Sequence, residues 1–271
     1  MIFFLIAYIS LPAERIQILY NSNYYPLEFT NDQGKADGFV IDLLYSLSRE
    51  AAFEVSFIPS NWKQRERDLY RGENLFATGF KSAPRDISII TSKTLFSLPF
   101  SLLSVKELTF IDPNDLQGKI PLLSSGDSSE EPLFHYLMGP EKIIRTKSWT
   151  DAVKALDSGY GDFTIISELH KNLLDDSHGN SLFDSQNFSL ALPYVLYTTK
   201  WDREKLEKLN NGLSIIRASG EYERIVEKWF AEAVPFGVSS SRGQKTLLFL
   251  IPVAILWVIL LIIQIKRKVS L

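Results

Sequence analysis

The sequence contains no cysteine. Disulfides, thiolate metal sites and a cysteine nucleophile are therefore excluded. Histidine is scarce too. His135, His170 and His178 are the three present, and they show no paired metal-ligand spacing. No metal and no other cofactor is expected. Positive charge is not in excess: the formal net charge is -3, and no basic stripe interleaved with aromatic residues runs along the chain. A nucleic-acid partner is not expected. A phosphate-binding glycine loop, a Gly-x-Ser-x-Gly elbow and a zinc-helix motif are missing as well, so no motif points to an enzyme.

What the chain does have is apolar mass. It holds 271 residues, 45% of them hydrophobic and 23% charged. That is enough for one large domain or for two lobes with real cores. The strongest single feature is the run from Thr246 to Ile265, which carries no charge. About 20 residues rising ~1.5 Å each span roughly 30 Å, the thickness of a bilayer core. Pro252 is tolerated in a membrane helix. Lys266, Arg267 and Lys268 follow at once, whereas Arg242 and Lys245 upstream are diluted among Ser239, Ser240 and Ser241. Clustered positive charge marks the cytoplasmic side. The expectation is a single-pass membrane protein. Its main domain lies outside, a linker runs over 233–245, the transmembrane helix spans 246–265, and 266–271 form a cytoplasmic tail.

Residues 1–13 agree with an exported domain. Met1 to Pro12 is mostly apolar and ends in Ala13, like the apolar region and small cleavage residue of a signal peptide. The basic start of such a leader is missing, which is the expectation for a shortened signal. The alternative is a first buried strand.

Between the ends, Ile16, Ile18 and Tyr20 alternate as in a half-buried strand. Phe39, Leu43, Leu44, Leu47 and Ala51 recur at helical spacing, and Phe53, Val55 and Phe57 alternate again. Strand, helix and strand in this order predict a β-α-β unit and a sheet covered by helices. A similar unit recurs later. Ser148 can cap a helix whose apolar face is Ala152, Val153 and Leu156, Gly159 stops it, and Phe163 to Ile166 form the next strand. Two further helices carry Leu206, Leu209, Leu213 and Ile216, ended by Gly220, and then Tyr222, Ile225, Val226, Trp229 and Phe230.

Several segments, in order, resemble the bacterial extracellular solute-binding proteins of family 3. Tyr24-Tyr25-Pro26-Leu27-Glu28-Phe29 is similar to that family's Y-P-P-F-E-F segment. Gly38 to Leu44 resembles its G-F-x-x-D-L-L motif. Trp62, Leu69, Gly72 and Glu73 match its W-x6-L-x2-G-E stretch, and Ser82-Ala83-Pro84-Arg85 resembles its T-P-E-R. Asp115 to Lys119 looks like the D-L-x-G-K that opens the second lobe. Gly159 with Asp162 resembles G-x-x-D, and Lys228-Trp229-Phe230 the closing K-W-F. The resemblance covers roughly residues 15 to 232. It implies an α/β fold, namely a two-lobed periplasmic-binding-protein-like (class II) domain followed by the single transmembrane helix. Lobe 1 would comprise 14–101 and 195–232, and lobe 2 would comprise 102–194, with a ligand held between them.

The resemblance also implies a site. Arg85 offers a planar fork that matches a carboxylate with two parallel hydrogen bonds; the alternative is a solvated arginine beside Asp86. Ser82 would add a hydroxyl donor or serve as a plain turn serine. Tyr24 would stack a flat face on the ligand or be a core aromatic. Phe29 and Phe80 would line the site or simply pack. Ser128 and Ser129 precede a predicted helix at Glu130, where amides attract an anion, or they cap that helix. Ser167 stands where amino-acid binders carry the acid that grips an ammonium group. Glu28, Glu168 and His135 could serve as acid or base, but no catalytic constellation surrounds them, so no catalytic residue is assigned. The expected partners are a small-molecule ligand, the membrane, and a signalling or permease component. The function expected first is a ligand-binding sensor or tethered receptor. A transport-associated tethered binding protein is the alternative, followed by a dehydratase-like enzyme or a remnant that no longer binds.

Overall fold

The computed structural model describes residues 13–230 apart from 83–86, 107, 109, 126–128, 138–139, 173, 175–181 and 185–187. Apart from Ala13, the expected leader, linker, membrane helix and cytoplasmic tail lie outside these residues, as do Arg85 and Ser128. Among the described residues, no helix is long and apolar enough to cross a membrane.

The first lobe opens with β1 (Glu14–Tyr20), β2 (Asn23–Tyr24), β3 (Glu28–Thr30) and β4 (Ala36–Asp37). Then come α1 (Phe39–Glu50), β5 (Phe53–Pro59), α2 (Trp62–Leu69), β6 (Leu75–Phe80) and β7 (Ile89–Thr91). β1 lies parallel to β5, with Ile16 opposite Val55, and parallel to β6, with Ile18 opposite Phe76. The predicted alternation is visible in β1, where Ile16 and Ile18 are buried and Gln17 between them is exposed. α1 covers the sheet with Phe39, Val40, Leu43, Leu44 and Leu47, all fully buried. Its entry requires glycine. Gly38 has φ 126, and a Cβ there would sit 2.5 Å from the Leu27 carbonyl oxygen.

β8 (Phe96–Ser104) carries the chain into the second lobe. There lie β9 (Pro121–Ser124), α3 (Glu130–Tyr136), β10 (Ile144–Thr146), α4 (Trp149–Asp157), β11 (Phe163–Ser167), α5 (Glu168–Lys171) and β12 (Phe183–Asp184). Its core gathers Leu103, Leu122, Val153, Leu156 and Ile166. The Ser148 hydroxyl caps α4 by accepting from the Asp151 amide at 3.1 Å, which satisfies one orphan donor of the first turn. β13 (Leu190–Thr199) returns to lobe 1, where α6 (Arg203–Ser219) and α7 (Glu221–Phe230) pack on α1. Gly220, left-handed at φ 79, ends α6.

The sheet order is β10-β9-β11-β8-β13-β6-β1-β5. β8 pairs with β13 from Phe96 to Phe100, then with β11 from Phe100 to Ser104. β13 pairs with β8 up to Tyr194, then with β6 up to Tyr197. Both strands therefore belong to both lobes. The lobe limits expected at 101/102 and 194/195 fall inside them.

Candidate functional site

The lobe 1 wall of the cleft is the segment Asn21–Tyr25, which leaves β1 and forms β2. A buried polar cluster holds it from behind. Glu28 is 0% exposed, and Arg65, reaching in from α2, is 1% exposed. The Glu28 carboxylate accepts from the Asn21 amide (2.9 Å), the Tyr194 hydroxyl (2.9 Å), Thr78 Oγ1 (2.7 Å) and Arg65 Nη2 (3.4 Å). Arg65 Nη1 also donates to the Thr78 carbonyl at 2.6 Å, and Nη2 to the Ser60 carbonyl at 3.3 Å. A buried charge survives only when paired and hydrogen-bonded, and this one is. Burial first, and the Glu28 charge second, raise the Tyr194 hydroxyl well above the ordinary tyrosine range. It therefore stays a donor. With its carboxylate filled by four donors, Glu28 is a brace and not a free acid or base.

Lobe 2 answers with the ends of β9 and β11, the start of α4 and the short α5. Ser167 caps α5 by accepting from the His170 amide at 3.2 Å, and its hydroxyl lies 3.0 Å from His170 Nδ1. The His170 ring stacks on Trp149 with centroids 4.7 Å apart and planes 12° apart. Its edge meets Tyr24 of lobe 1 at 4.9 Å. Burial lowers the His170 pKa to about 4, against the opposing pull of the Tyr25 backbone, so the ring is neutral at pH 7. Among the described residues no group stands within hydrogen-bond geometry of its Nε2.

Among the described residues, two cavities border this contact. The larger, about 310 Å³, is walled on the lobe 1 side by Asn21, Asn23, Tyr24 and Tyr25. On the lobe 2 side it is walled by Ser124, Ser125, Lys147, Ser148, Trp149 and Thr150. Among these described residues Lys147 is the one charged side chain, and none is a carboxylate. The smaller, about 20 Å³, is a pocket of one-water size between Tyr24, Ser129, Thr164, Ser167 and His170.

The sequence-expected residues fall into three groups. Tyr24, Ser129 and Ser167 line the small cavity together, and Tyr24 also faces the large one. Phe80 lies fully buried behind Tyr24, with ring centroids 6.3 Å apart, and packs on Phe100 and Tyr194. Phe29 lies in the β2-β3-β4 sheet against Tyr25 and Trp229. Neither of these two phenylalanines borders either cavity. Ser82 ends the β6 segment, its amide donating to the Tyr197 hydroxyl at 2.9 Å. Glu168 points to Ser101 and to Lys171, which is bound in turn to Asp184 at 2.6 Å.

Sequence reasoning did not single out Lys147, Trp149 or His170 as cleft residues, nor Arg65 and Tyr194 as support of the lobe 1 wall. A signal existed for His170: its i+3 spacing from Ser167, at the end of a strand, fits a capped helical turn. None existed for Arg65.

Comparison with known proteins agrees with this architecture. Residues 16–232 match the profile of the bacterial extracellular solute-binding proteins, family 3. The chain is 24% identical over 230 residues to the ABC transporter arginine-binding protein 1 of Escherichia coli (strain K12), covering 81% of this chain and 92% of the relative. The crystal structure of a histidine kinase sensor domain with similarity to periplasmic binding proteins superposes with TM-score 0.68 at 21% identity, over 83% of this chain and 99% of the other. An ancestral arginine-binding protein bound to arginine gives TM-score 0.65 at 22% identity, over 81% and 100%.

Proposed function

The chain belongs to the bacterial extracellular solute-binding proteins, family 3, and from that premise we propose that it is the extracytoplasmic domain of a membrane-anchored receptor or sensor. Its two lobes close on a small anionic or amino-acid-like solute, and the run 246–265 is its membrane anchor. The observation that carries the reading is the cavity of about 310 Å³ walled by both lobes. That volume falls at the lower end of small-molecule sites. A solute held by both walls favours the closed arrangement and so shifts an open-closed equilibrium of the lobes. Arg85 is the anion anchor in this proposal. Tyr24 supplies an aromatic wall, and Ser82, Ser128 and Ser129 supply donors.

The likeness in fold to a histidine kinase sensor domain supports the sensing version. The relative named as part of an ABC transporter supports a second reading, a tethered binding protein that serves a permease.

The test is thermal unfolding of the full chain, purified in detergent, against amino acids and small carboxylates. A true ligand at a hundredfold excess over its Kd stabilises the folded state by about 2.7 kcal/mol. A folded chain that shifts with none of these compounds sinks the receptor reading. For topology, protease added to intact spheroplasts is expected to digest the main domain. Protection until lysis refutes the outside placement.

A further inference from the structure

Resting on the receptor reading, we propose that the solute is an organic acid without a cationic group, and that Lys147 holds one of its anionic ends in the interlobe cavity. The cavity sets the charge requirement. Ten described residues wall it, and among these Lys147 alone is charged. The others present hydroxyls, side-chain amides and aromatic rings. Among these described residues a solute ammonium or guanidinium meets no opposing charge, and it is left unpaired wherever the closed lobes displace its water.

Among the described residues, the two glutamates nearest the cleft are committed elsewhere. Glu28 is filled by four donors behind the lobe 1 wall. Glu168 is bound by Ser101 and neutralised by Lys171. Where an acid could have closed the cleft at the end of β11, Ser167 directs its hydroxyl to His170. The His170 ring, pressed between Tyr24 and Trp149, is neutral. A neutral serine–histidine pair therefore stands at that strand end.

An anion meets the opposite situation. Lys147 precedes Ser148, the cap of α4, and Ser148, Trp149 and Thr150 at the start of that nine-residue helix border the same cavity. The positive end of the helix and the lysine thus act on one space. Asp151, the acid of the first turn, is exposed and does not border the cavity. Among the described residues no carboxylate pairs with Lys147, so its charge is available to a solute. Asn21, Asn23, Ser124 and Ser125 supply polar groups for the uncharged part of the ligand.

The experiment is calorimetry on the full chain with paired probes: butyrate and 2-aminobutyrate, succinate and aspartate, glutarate and glutamate, together with arginine. The expected result is that at least one acid binds tighter than its amino partner. In Lys147→Met that acid is expected to lose about tenfold in affinity, while the melting temperature of the free chain holds. Lys147→Arg, which keeps the charge, is expected to recover most of the binding. An amino member that binds as tightly as its deaminated partner, or tight binding of arginine, overturns the ligand class and leaves the receptor reading standing. Unchanged affinity in Lys147→Met overturns the role of Lys147. A folded chain that binds no probe overturns both this inference and the receptor reading.

Discussion

Replacing Arg65 by methionine tests whether the cluster behind the cleft wall is a structural brace. Arg65 and Glu28 are 1% and 0% exposed, so water cannot screen or solvate the charge that remains after substitution. In Arg65→Met the Glu28 carboxylate keeps three donors, from Asn21, Thr78 and Tyr194, but loses its countercharge. The Thr78 and Ser60 carbonyls lose their donor as well. Breaking one side of a buried ion pair costs about 3–5 kcal/mol. Total domain stability is typically about 5–15 kcal/mol, so roughly a fifth or more of it is at stake. With a urea m-value of about 2 kcal/mol/M, the midpoint is expected to fall by roughly 1.5–2.5 M. The double variant Glu28→Gln/Arg65→Met removes both charges and is expected to recover more than half of the loss. The coupling between the two substitutions is then the measure of the pair. Loss of less than about 1 kcal/mol in Arg65→Met, or a double variant no better than the single one, refutes the argument.

Three other outcomes are expected. For His170, the folded pKa of about 4 lies below the ordinary value of 6.5. On acidification the unfolded chain takes up a proton that the folded ring refuses. Stability contributed by the neutral ring is complete above pH 6.5 and is lost as pH falls towards 4, by at most about 1.4 kcal/mol per unit. His170→Asn is expected to flatten the melting-temperature profile between pH 6.5 and 4.5 relative to the parent, and parallel profiles would show that the ring is not a buried base. Arg85→Ala is expected to lower solute affinity about 10- to 150-fold, the equivalent of a charge-assisted contact of roughly 1.5–3 kcal/mol, with Arg85→Lys recovering part of it; an unchanged Kd removes Arg85 from the site. Ser148→Ala deletes the cap of α4 and is expected to cost about 1 kcal/mol in urea unfolding, whereas no change would show the capping bond to be immaterial.

Features governed by local periodicity were legible in the sequence. The alternation in β1, the apolar stripe of α1, the Ser148 cap and the Gly220 stop each depend on residues within a few positions of one another, and each stands in the structure. Features that depend on distant partners were not. Arg65 reads as a surface charge on a polar helix, because its partner Glu28 lies 37 residues away in sequence. Phe29 shares a motif with Tyr24, yet the β2-β3 hairpin turns Tyr24 to the cleft and Phe29 towards Trp229. The serine at the end of β11 showed that an acid was lacking there. It did not show that an imidazole and an indole stand beside it, since that depends on α4 and α5 meeting across the lobe.

The two-strand connection has a mechanical corollary. β8 leaves lobe 1 and β13 re-enters it beside β8, so lobe 2 is an insertion whose entry and exit are adjacent. β1 lies in the lobe 1 sheet, and the closing α7 is clamped to α1 by Lys228 and Trp229, which donate to Asp42 at 2.6 and 2.7 Å. The first and last described elements are thus anchored to one rigid frame. In the proposed receptor, a swing of lobe 2 would leave β1 and α7 on the same frame, and it would be felt first as a patch of the moving lobe's surface newly shown or hidden.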